Sequence, residues 1–442
     1  MTSERHITLL LPAETSSAAV VNSAVPRAAE AFGLGAGAAL KLALAVEEVF
    51  LYLLDTASRE RRLELDVIAR PTAVEVVFGF EARTLDLGAL NLTAQADACS
   101  FLEQEDFAQV GLLLAASAVD KMRLEHLGAG RMRLALEVGR EYPEPSAPQA
   151  ANFEPQGSVR LERSPASDLL QEACLRVLAD HAAEDLPRMI RAPGMLVDLV
   201  AGGEAEALVA LDGRERVCGL LCWTGRDAKT IIFHGPYCAF SARREEMAGK
   251  LLDGFLQSVA KSGASGVMTP LASDLLPPGE YESLGSLDRL LPEGAKQVRP
   301  AAFRLIAEDM GSTIWAHSAI RDFLEREYDR LDLVRDLRSV VSLGESRPES
   351  SVFSASLEAG TGVALLRPLM DGRDASANLG RHVCALRAKG FPNILFEVDL
   401  AHGWQAALAG PLADNGFKPR MVHPLGGRSD LVIFQHESAV AP

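Results

Sequence analysis

Three polar side chains lie on or beside strands that the sequence predicts to be central, and each could take part in acid–base chemistry. They are His234, Tyr237 and Glu397, residue types that serve as general acids or bases. A polar residue at such a position more often has a hydrogen-bond partner in the core or at a sheet edge, so both interpretations stay open. The spacing of these residues does not predict a Ser-His-Asp triad.

The six cysteines give no sign of a metal centre. Cys218 and Cys222 fall within an apolar run, where packing in the core is the favoured interpretation. No cysteine forms a Cys-x-x-Cys pair, and no histidine cluster accompanies the cysteines at zinc spacing. The sequence therefore predicts reduced cysteines and no bound metal.

Composition limits the classes of function that the chain can serve. With 442 residues, 48% of them hydrophobic and 24% charged, the chain can build about three ordinary globular cores. The formal net charge of −16 argues against nucleic acid or an anionic membrane as partner. The first residues lack the pattern of a secretion signal, and there is no apolar run of membrane-spanning length. We expect a cytoplasmic protein.

One clear linker and one weaker boundary divide the chain. Residues 141–157 are rich in Pro, Ala and Gln and lack apolar periodicity, which is typical of a linker. The weaker boundary lies near residues 308–313. The predicted domains are therefore 1–140, 158–310 and 311–442, in an α/β (α+β) fold class.

The elements that position the candidate residues follow from apolar periodicity. Before the linker we predict a strand, two helices, a strand hairpin, a third helix and a closing strand at Arg131–Val138. Each later domain is predicted to begin with helix, to continue with central strands, and then to have a helix ending in Gly and an apolar strand. The two later domains thus share an architecture without a fixed-period repeat.

The first 140 residues resemble the small ATPases of the anti-sigma-factor serine kinase group, which have a GHKL (histidine-kinase-like) α/β sandwich. The motifs occur in the family's order: Leu11-Pro12-Ala13 before the first helix, Ala45-Val46-Glu47-Glu48 in the second helix, Gln109-Val110-Gly111-Leu112 in the third, and Asp120 after it. The resemblance implies a site for ATP and Mg²⁺, with Glu48 as catalytic base and Gly111 approaching phosphate.

Other positions of that implied nucleotide site depart from the family's pattern. Tyr52 stands where an Asn would hold Mg²⁺, which needs hard oxygen ligands, and Phe80 stands where an Asp would bind adenine. Ala82 replaces the glycine beside the base, Asp86 belongs to the only local Asp-x-Gly segment, and Gln109 replaces a phosphate-loop glycine. We expect a degenerate nucleotide site, with Glu48 a capping or surface carboxylate.

The two later domains resemble the GNAT (acyl-CoA-dependent N-acetyltransferase) fold. That family binds pyrophosphate with R/Q-x-x-G-x-G/A at a helix start, and the nearest segment here begins at Arg244 and ends at Gly249. Met247 replaces the first glycine, and Glu245 and Glu246 place negative charge where the pyrophosphate would bind. Acidic residues in a first helical turn are also favoured by the helix dipole, without any ligand. The resemblance makes Arg244, Met247 and Gly249 candidate residues of a degenerate acyl-CoA site.

Three functions are compatible with this sequence. The leading interpretation is a bacterial regulatory protein that binds a partner protein or a small molecule without turning over ATP. The resemblance of the first domain implies a sigma factor or an anti-sigma antagonist as partner, and it leaves open a homodimer. The alternatives are an acyl-CoA-dependent N-acetyltransferase and an ATP-binding serine kinase. ATP with Mg²⁺ and acetyl-CoA are therefore candidate cofactors that only the family resemblances imply.

Overall fold

The computed structural model describes most of the chain. The described residues are 5–56, 62–81, 87–97, 107–128, 131–146, 154–225, 228–239, 242–291, 294–341, 347–358 and 360–437. They form a mixed α/β structure with four sheets, of five, seven, two and five strands. The predicted α/β fold class is therefore confirmed. We refer to the described parts of 5–140, 158–310 and 311–437 as the first, middle and last units.

The first unit packs three helices on one antiparallel sheet of order β1-β2-β3-β5-β4. Apolar residues of α1, α2 and α3 and of one sheet face form its core. In chain order its elements are β1 (His6–Pro12), α1 (Ala18–Ala31), α2 (Ala36–Thr56), β2 (Arg62–Ala69), β3 (Ala73–Glu81), α3 (Phe107–Ala118), β4 (Lys121–Gly128) and β5 (Arg131–Gly139).

Strand β4 was absent from the sequence prediction, which had β5 close the sheet. The structure places β4 at the edge and β5 inside, between β3 and β4. Only two residues separate β4 from the end of α3, without a Gly or Pro to mark a turn. Because those turn residues are the main local signal for a new element, the strand was missed.

The middle unit is built on the seven-stranded sheet, of order β11-β12-β10-β9-β8-β7-β6. Helices α4, α5 and α6 cover one face of it and α7 covers the other. The elements are β6 (Arg160–Glu162), α4 (Ser167–Asp180), α5 (Arg188–Arg191), α6 (Pro193–Gly202), β7 (Ala205–Leu211), β8 (Val217–Thr224), β9 (Thr230–Cys238), α7 (Arg244–Val259), β10 (Gly266–Thr269), β11 (Glu282–Leu290) and β12 (Lys296–Leu305).

The last unit contains a two-stranded parallel sheet, β13-β14, and a five-stranded sheet of order β15-β16-β17-β19-β18. Its elements are β13 (Ser312–Ala316), α8 (Arg321–Leu331), β14 (Arg335–Ser339), β15 (Val352–Glu358), β16 (Val363–Met370), α9 (Ala375–Ala388), β17 (Asn393–Asp399), α10 (Gly403–Ala407), α11 (Ala409–Asp414), β18 (Phe417–His423) and β19 (Leu431–His436). The helix predicted over His402–Asn415 is two short helices, because Pro411 cannot donate the backbone hydrogen bond of a continuous helix.

The middle and last units repeat one strand arrangement. Strands β8-β9-β10-β12-β11 have the same order and the same relative directions as β15-β16-β17-β19-β18. In each unit, one helix (α7 or α9) connects the two parallel strands. The predicted shared architecture is thus present in the strand order and in the connecting helix. The predicted helical beginning is wrong, because each unit begins with a strand, β6 or β13.

The middle and last units contact each other through equivalent edge strands, β11 and β18. Gly285 of β11 has a φ of +104°, and a Cβ built there would lie 2.5 Å from the carbonyl oxygen of Arg420 in β18. Only glycine permits both this backbone conformation and this close approach. The junction between the two units therefore depends on a glycine at this position.

Candidate ligand-binding site

A cavity of about 250 Å³ lies between the middle and last units. It forms where strand β10 ends. Strands β9 and β10 are paired only at Thr230–Ile232 with Gly266–Met268, whereas β9 continues to Cys238. Because β10 is shorter than β9 and β12 on either side of it, the sheet opens beyond Thr269, which lines the cavity.

Two of the candidate acid–base residues, His234 and Tyr237, line this cavity together. Residues three apart in a regular strand point to opposite faces. Here Tyr237 pairs with Leu220 and His234 pairs with Cys222, so β9 has one more residue than β8 between the two pairs. This β-bulge puts both side chains on one face of the sheet. Bulges next to functional sites often redirect side chains in this way.

Burial sets the protonation of these two side chains. It lowers the pKa of His234 to about 4, so the imidazole is neutral at physiological pH. Burial also raises the pKa of Tyr237 far above its usual value, so the phenol keeps its proton. The Tyr237 ring packs edge-to-face on His181, with ring centroids 5.3 Å apart. The cavity wall therefore offers a neutral imidazole and an oriented hydroxyl donor.

A pair of arginines forms another part of the wall. Arg289 of β11 and Arg299 of β12 both line the cavity. Nη1 of each donates a hydrogen bond to the backbone carbonyl of Glu184, at 2.6 Å and 3.3 Å. Asp185 accepts a hydrogen bond from Arg299 at 3.1 Å and lies 3.8 Å from Arg289. Two guanidinium groups thus share one carboxylate.

The last unit closes the opposite side of the cavity through side-chain amides. Asn393 accepts a hydrogen bond from the Leu290 amide at 2.7 Å and donates to its carbonyl at 3.0 Å. Gln435 accepts from the Asp288 amide at 2.9 Å and donates to its carbonyl. The two buried side-chain amides supply the hydrogen-bond partners that another strand would give to the outer edge of β11. They join the two units whose residues form the walls of the cavity.

Apolar side chains complete the cavity, and its other carboxylates are paired. The apolar lining includes Leu186, Leu271, Leu287, Val363 and Leu395. Glu358 forms an ion pair with Arg191 at 3.0 Å. Asp288 forms ion pairs with Lys296 and Arg420. Glu397, the third acid–base candidate, is outside the cavity lining and is paired with Arg367 at 2.5 Å.

In the first unit, the structure brings together two residues of the implied nucleotide site. Helices α2 and α3 pack so that a Cβ built on Gly111 would overlap Oε2 of Glu48. Burial, with a smaller contribution from Glu47, raises the pKa of Glu48. The Glu48 carboxylate therefore lies directly against Gly111, where there is no room for a side chain.

The other positions of that site are filled by packing. Tyr52 and Phe80 are buried in the hydrophobic core of the first unit, and Gln109 is buried and accepts a hydrogen bond from the Ala89 amide at 3.3 Å. Ala82 and Asp86 lie outside the described residues. A core phenol and a core phenyl ring do not fit Mg²⁺ or the adenine of ATP.

The start of helix α7 likewise does not fit an acyl-CoA pyrophosphate. Met247 is fully buried in the core beneath the helix, and Arg244 is paired with Asp274 at 2.8 Å. Glu246 is paired with Arg243 and Lys250. A Cβ built on Gly249 would meet no atom within 4 Å, so no close backbone approach requires glycine there.

The equivalent helix start in the last unit, at α9, is covered by the first unit. Asn378 in the first turn of α9 donates hydrogen bonds to Asn91 Oδ1 at 3.2 Å and to the Ser351 carbonyl at 3.0 Å. Asp374, just before the helix, accepts hydrogen bonds from the Ser351 amide and hydroxyl. Asn91, Ser351 and Asn378 are all buried, so protein groups occupy this helix terminus.

The described residues contain neither a candidate metal site nor a helix that could span a membrane. Within the described ranges, no cluster of three or more His, Cys, Asp or Glu residues could hold a metal ion. In the same part of the chain, no helix is both long enough and apolar enough to cross a membrane.

Comparison with known proteins gives a match in structure only. No family model and no curated protein matches the chain. About a third of the chain aligns with GNAT-family structures. An acetyltransferase of the GNAT family from Staphylococcus aureus aligns at 12% identity over 34% of this chain and 99% of its own, with a TM-score of 0.27. A phosphinothricin acetyltransferase from Sinorhizobium meliloti, in complex with AcCoA, aligns at 15% identity over 34% and 90%, with a TM-score of 0.29.

An aminoglycoside 6'-N-acetyltransferase from Enterococcus faecium gives a similar result, at 12% identity over 34% of this chain and 98% of its own, with a TM-score of 0.26. At these TM-scores the alignments carry no argument about activity.

His234 and Tyr237 were predicted as candidates from the sequence, whereas Arg289, Arg299 and Asp185 were not. The two arginines lie on paired strands with Leu287 opposite Arg299 and Gln297 opposite Arg289, so they share a sheet face. Asp185 contacts that face from more than a hundred residues earlier in the chain, and no local sequence pattern predicts this contact. The Gly235-Pro236 pair within an apolar strand was the available signal for the bulge.

Proposed function

We propose that this chain is a small-molecule-binding protein, with its ligand site in the cavity between the middle and last units, and that it does not turn over ATP. The observation that carries the proposal is the cavity itself, in which a hydroxyl donor, a neutral imidazole and two arginines converge among apolar side chains. Concave, mainly apolar sites with a few convergent polar groups are the usual form of small-molecule sites.

The junction between the two units supports a binding role. A ligand in the cavity would contact strands of both units, and it would stabilise their association. A protein whose ligand site spans two units can convert ligand concentration into a change of their packing. This is consistent with the regulatory role that the sequence suggested, in which a sigma factor or an anti-sigma antagonist is the partner to test first.

Isothermal titration calorimetry with Mg-ATP tests the statement about the first unit. Because Tyr52 and Phe80 are core residues, we expect no heat of binding at millimolar ATP. Tight binding that depends on magnesium would contradict this part of the proposal. Glu48→Gln serves as the comparison, because loss of such binding in this variant would identify a working nucleotide site.

Ligand-observed NMR tests the cavity directly. A mixture of small organic compounds is screened for saturation transfer from wild-type protein, and each binder is rescreened with Tyr237→Phe. We expect weaker transfer in the variant for ligands that accept a hydrogen bond from the phenol. If binders exist but none responds to Tyr237→Phe or to filling of the cavity, the ligand site lies elsewhere.

A second candidate function is acyl transfer to an amine. The divergence of the parallel strands β9 and β10, next to His234 and Tyr237, favours it. The α7 start does not fit the pyrophosphate of acyl-CoA, so no catalytic step is assigned. A rise in melting temperature with acetyl-CoA but not with free adenosine diphosphate would favour this function, and no rise at millimolar concentration would leave the binding role ahead.

A further inference from the structure

We propose that the ligand of the cavity carries a carboxylate group, which binds between Arg289 and Arg299, and a compact apolar group that packs on Leu287, Val363 and Leu395. This inference rests on the proposed function and names the chemical class of the ligand.

Arg289 is almost fully buried, with 5% of its surface exposed, and lines the cavity. Its Nη1 donates to the Glu184 carbonyl at 2.6 Å, whereas its buried Nε has no hydrogen-bond partner among the described residues. A buried donor of a charged group that lacks a partner costs free energy. Because Arg289 lines the cavity, an anionic ligand there would offset the cost of burying this incompletely paired charge.

The local charges favour an anion. Asp185 is the carboxylate nearest to both arginines, and it also accepts a hydrogen bond from Gln297 at 3.1 Å. Of the other acidic residues in the lining, Glu358 shares Arg191 with Glu144, Asp288 is paired with Lys296 and Arg420, and the Glu184 side chain lies at the exposed surface. Among the described residues, Asp185 is therefore the only carboxylate within ion-pair distance of Arg289 or Arg299.

A carboxylate matches this arrangement better than an amine does. The planar guanidinium binds carboxylate oxygens through paired N–H donors, and the protonated phenol of Tyr237 is a further donor in the same lining. A primary amine would meet two like charges. The volume of about 250 Å³ holds on the order of eight waters, so the ligand is a small acid with a short apolar chain or one ring.

Binding of matched acids and amides tests the inference. Wild-type protein is titrated with 4-methylpentanoate and phenylacetate, and with 4-methylpentanamide and phenylacetamide, which have the same shape without the charge. We expect the acids to bind roughly tenfold to a hundredfold more tightly than the amides, the range for hydrogen bonds to a charged group.

Two arginine variants locate the effect. Arg289→Met removes the guanidinium from the cavity and should weaken acid binding to the level of the amide. Arg304→Met is the matched control, because Arg304 is on strand β12 but pairs with Glu280 outside the cavity lining, and it should bind the acids as the wild type does. The comparison of acid with amide uses wild-type protein, so it stands even if Arg289→Met fails to fold.

The outcomes separate the two proposals. If amides bind as tightly as acids and Val363→Trp abolishes both, the carboxylate inference is wrong and the cavity remains the ligand site. Acid binding that is unchanged in Arg289→Met also overturns the inference. If neither acids nor amides bind while other compounds bind in the cavity, only the carboxylate inference fails. If no compound binds there, the proposed function fails as well.

Discussion

The side chain of Asn91, in the first unit, donates a 2.8 Å hydrogen bond to the backbone carbonyl of Ser351 at the start of the last unit's main sheet. Its Oδ1 accepts hydrogen bonds from the Phe353 amide at 3.0 Å and from Asn378 at 3.2 Å. Val352, Leu369 and Met370 of the last unit also join the hydrophobic core of the first. Residues more than 250 positions apart thus form one buried interface.

Replacing Asn91 should loosen this interface. In Asn91→Ala, the Phe353 amide loses its partner while it stays buried, and the Ser351 carbonyl keeps only its hydrogen bond from Asn378. We expect this change to cost about 1–3 kcal/mol. We expect the melting temperature to fall by roughly 4–8 °C for a loss near 2 kcal/mol. Differential scanning calorimetry measures it, with Asn22→Ala on the exposed face of α1 as control. A fall no larger than in the control would contradict this interface.

Glu48 should reduce stability at neutral pH. Burial raises its pKa in the folded state, so the folded protein binds the proton more tightly than the unfolded chain does. Stability from this group is present below the unfolded pKa and is lost as pH rises through the folded pKa. Glu48→Gln should therefore melt above the wild type at pH 7, and this difference should shrink towards pH 4.

The exposed Glu64 provides the matched control for this experiment. Glu64→Gln should show no such pH-dependent difference. If Glu48→Gln instead melts below the wild type at pH 7, the ionised carboxylate has a stabilising partner and the interpretation of Glu48 as an inherited, unused residue fails.

His234 should make the protein sensitive to acid. Its pKa in the folded state is lowered to about 4 by burial, whereas the unfolded chain takes up the proton near pH 6.5. Stability is therefore lost as pH falls from about 6.5 to 4, by up to roughly 1.4 kcal/mol per pH unit for one proton. His234→Gln should lose less stability over this range in urea unfolding, and the exposed His6→Gln should follow the wild-type slope. Equal slopes in all three proteins would show that His234 is not buried as described.

Asp198 should hold the linker against the middle unit. It accepts hydrogen bonds from the Tyr142 hydroxyl at 2.5 Å and from Arg140 at 2.9 Å. In Asp198→Ala both donors lose this acceptor, so local opening becomes easier and thermolysin should cut within residues 141–157 severalfold faster. Mass spectrometry of the fragments gives the cleavage site, and Asp253→Ala, at an exposed position of α7, is the control. Unchanged cleavage rates would show that these bonds do not restrain the linker.

Local patterns were enough to predict most elements of the fold. Strand β9 was predicted at Thr230–Cys238 and is found there, because an apolar run with turn residues on both sides determines a strand locally. Strand β4 was missed because it follows a helix without such residues. The domain limits stay a prediction, although the sheets fall within them.

The candidate site was only partly predictable. His234 and Tyr237 could be named from strand position, but the bulge that aligns them depends on the register with β8. The pairing of Arg289 and Arg299 with Asp185 depends on how a loop after α4 meets the β11–β12 hairpin. Such contacts link distant parts of the chain and have no signature in a single sequence.

The most direct test of the cavity as ligand site is to fill it. Val363→Trp places a large ring in the cavity, whereas Leu357→Trp places the same ring on an exposed position of β15. The melting temperatures of the wild type and both variants are measured against one library of small molecules. We predict that compounds that stabilise the wild type also stabilise Leu357→Trp and do not stabilise Val363→Trp. Equal stabilisation of all three proteins would contradict the assignment of the cavity as the ligand site.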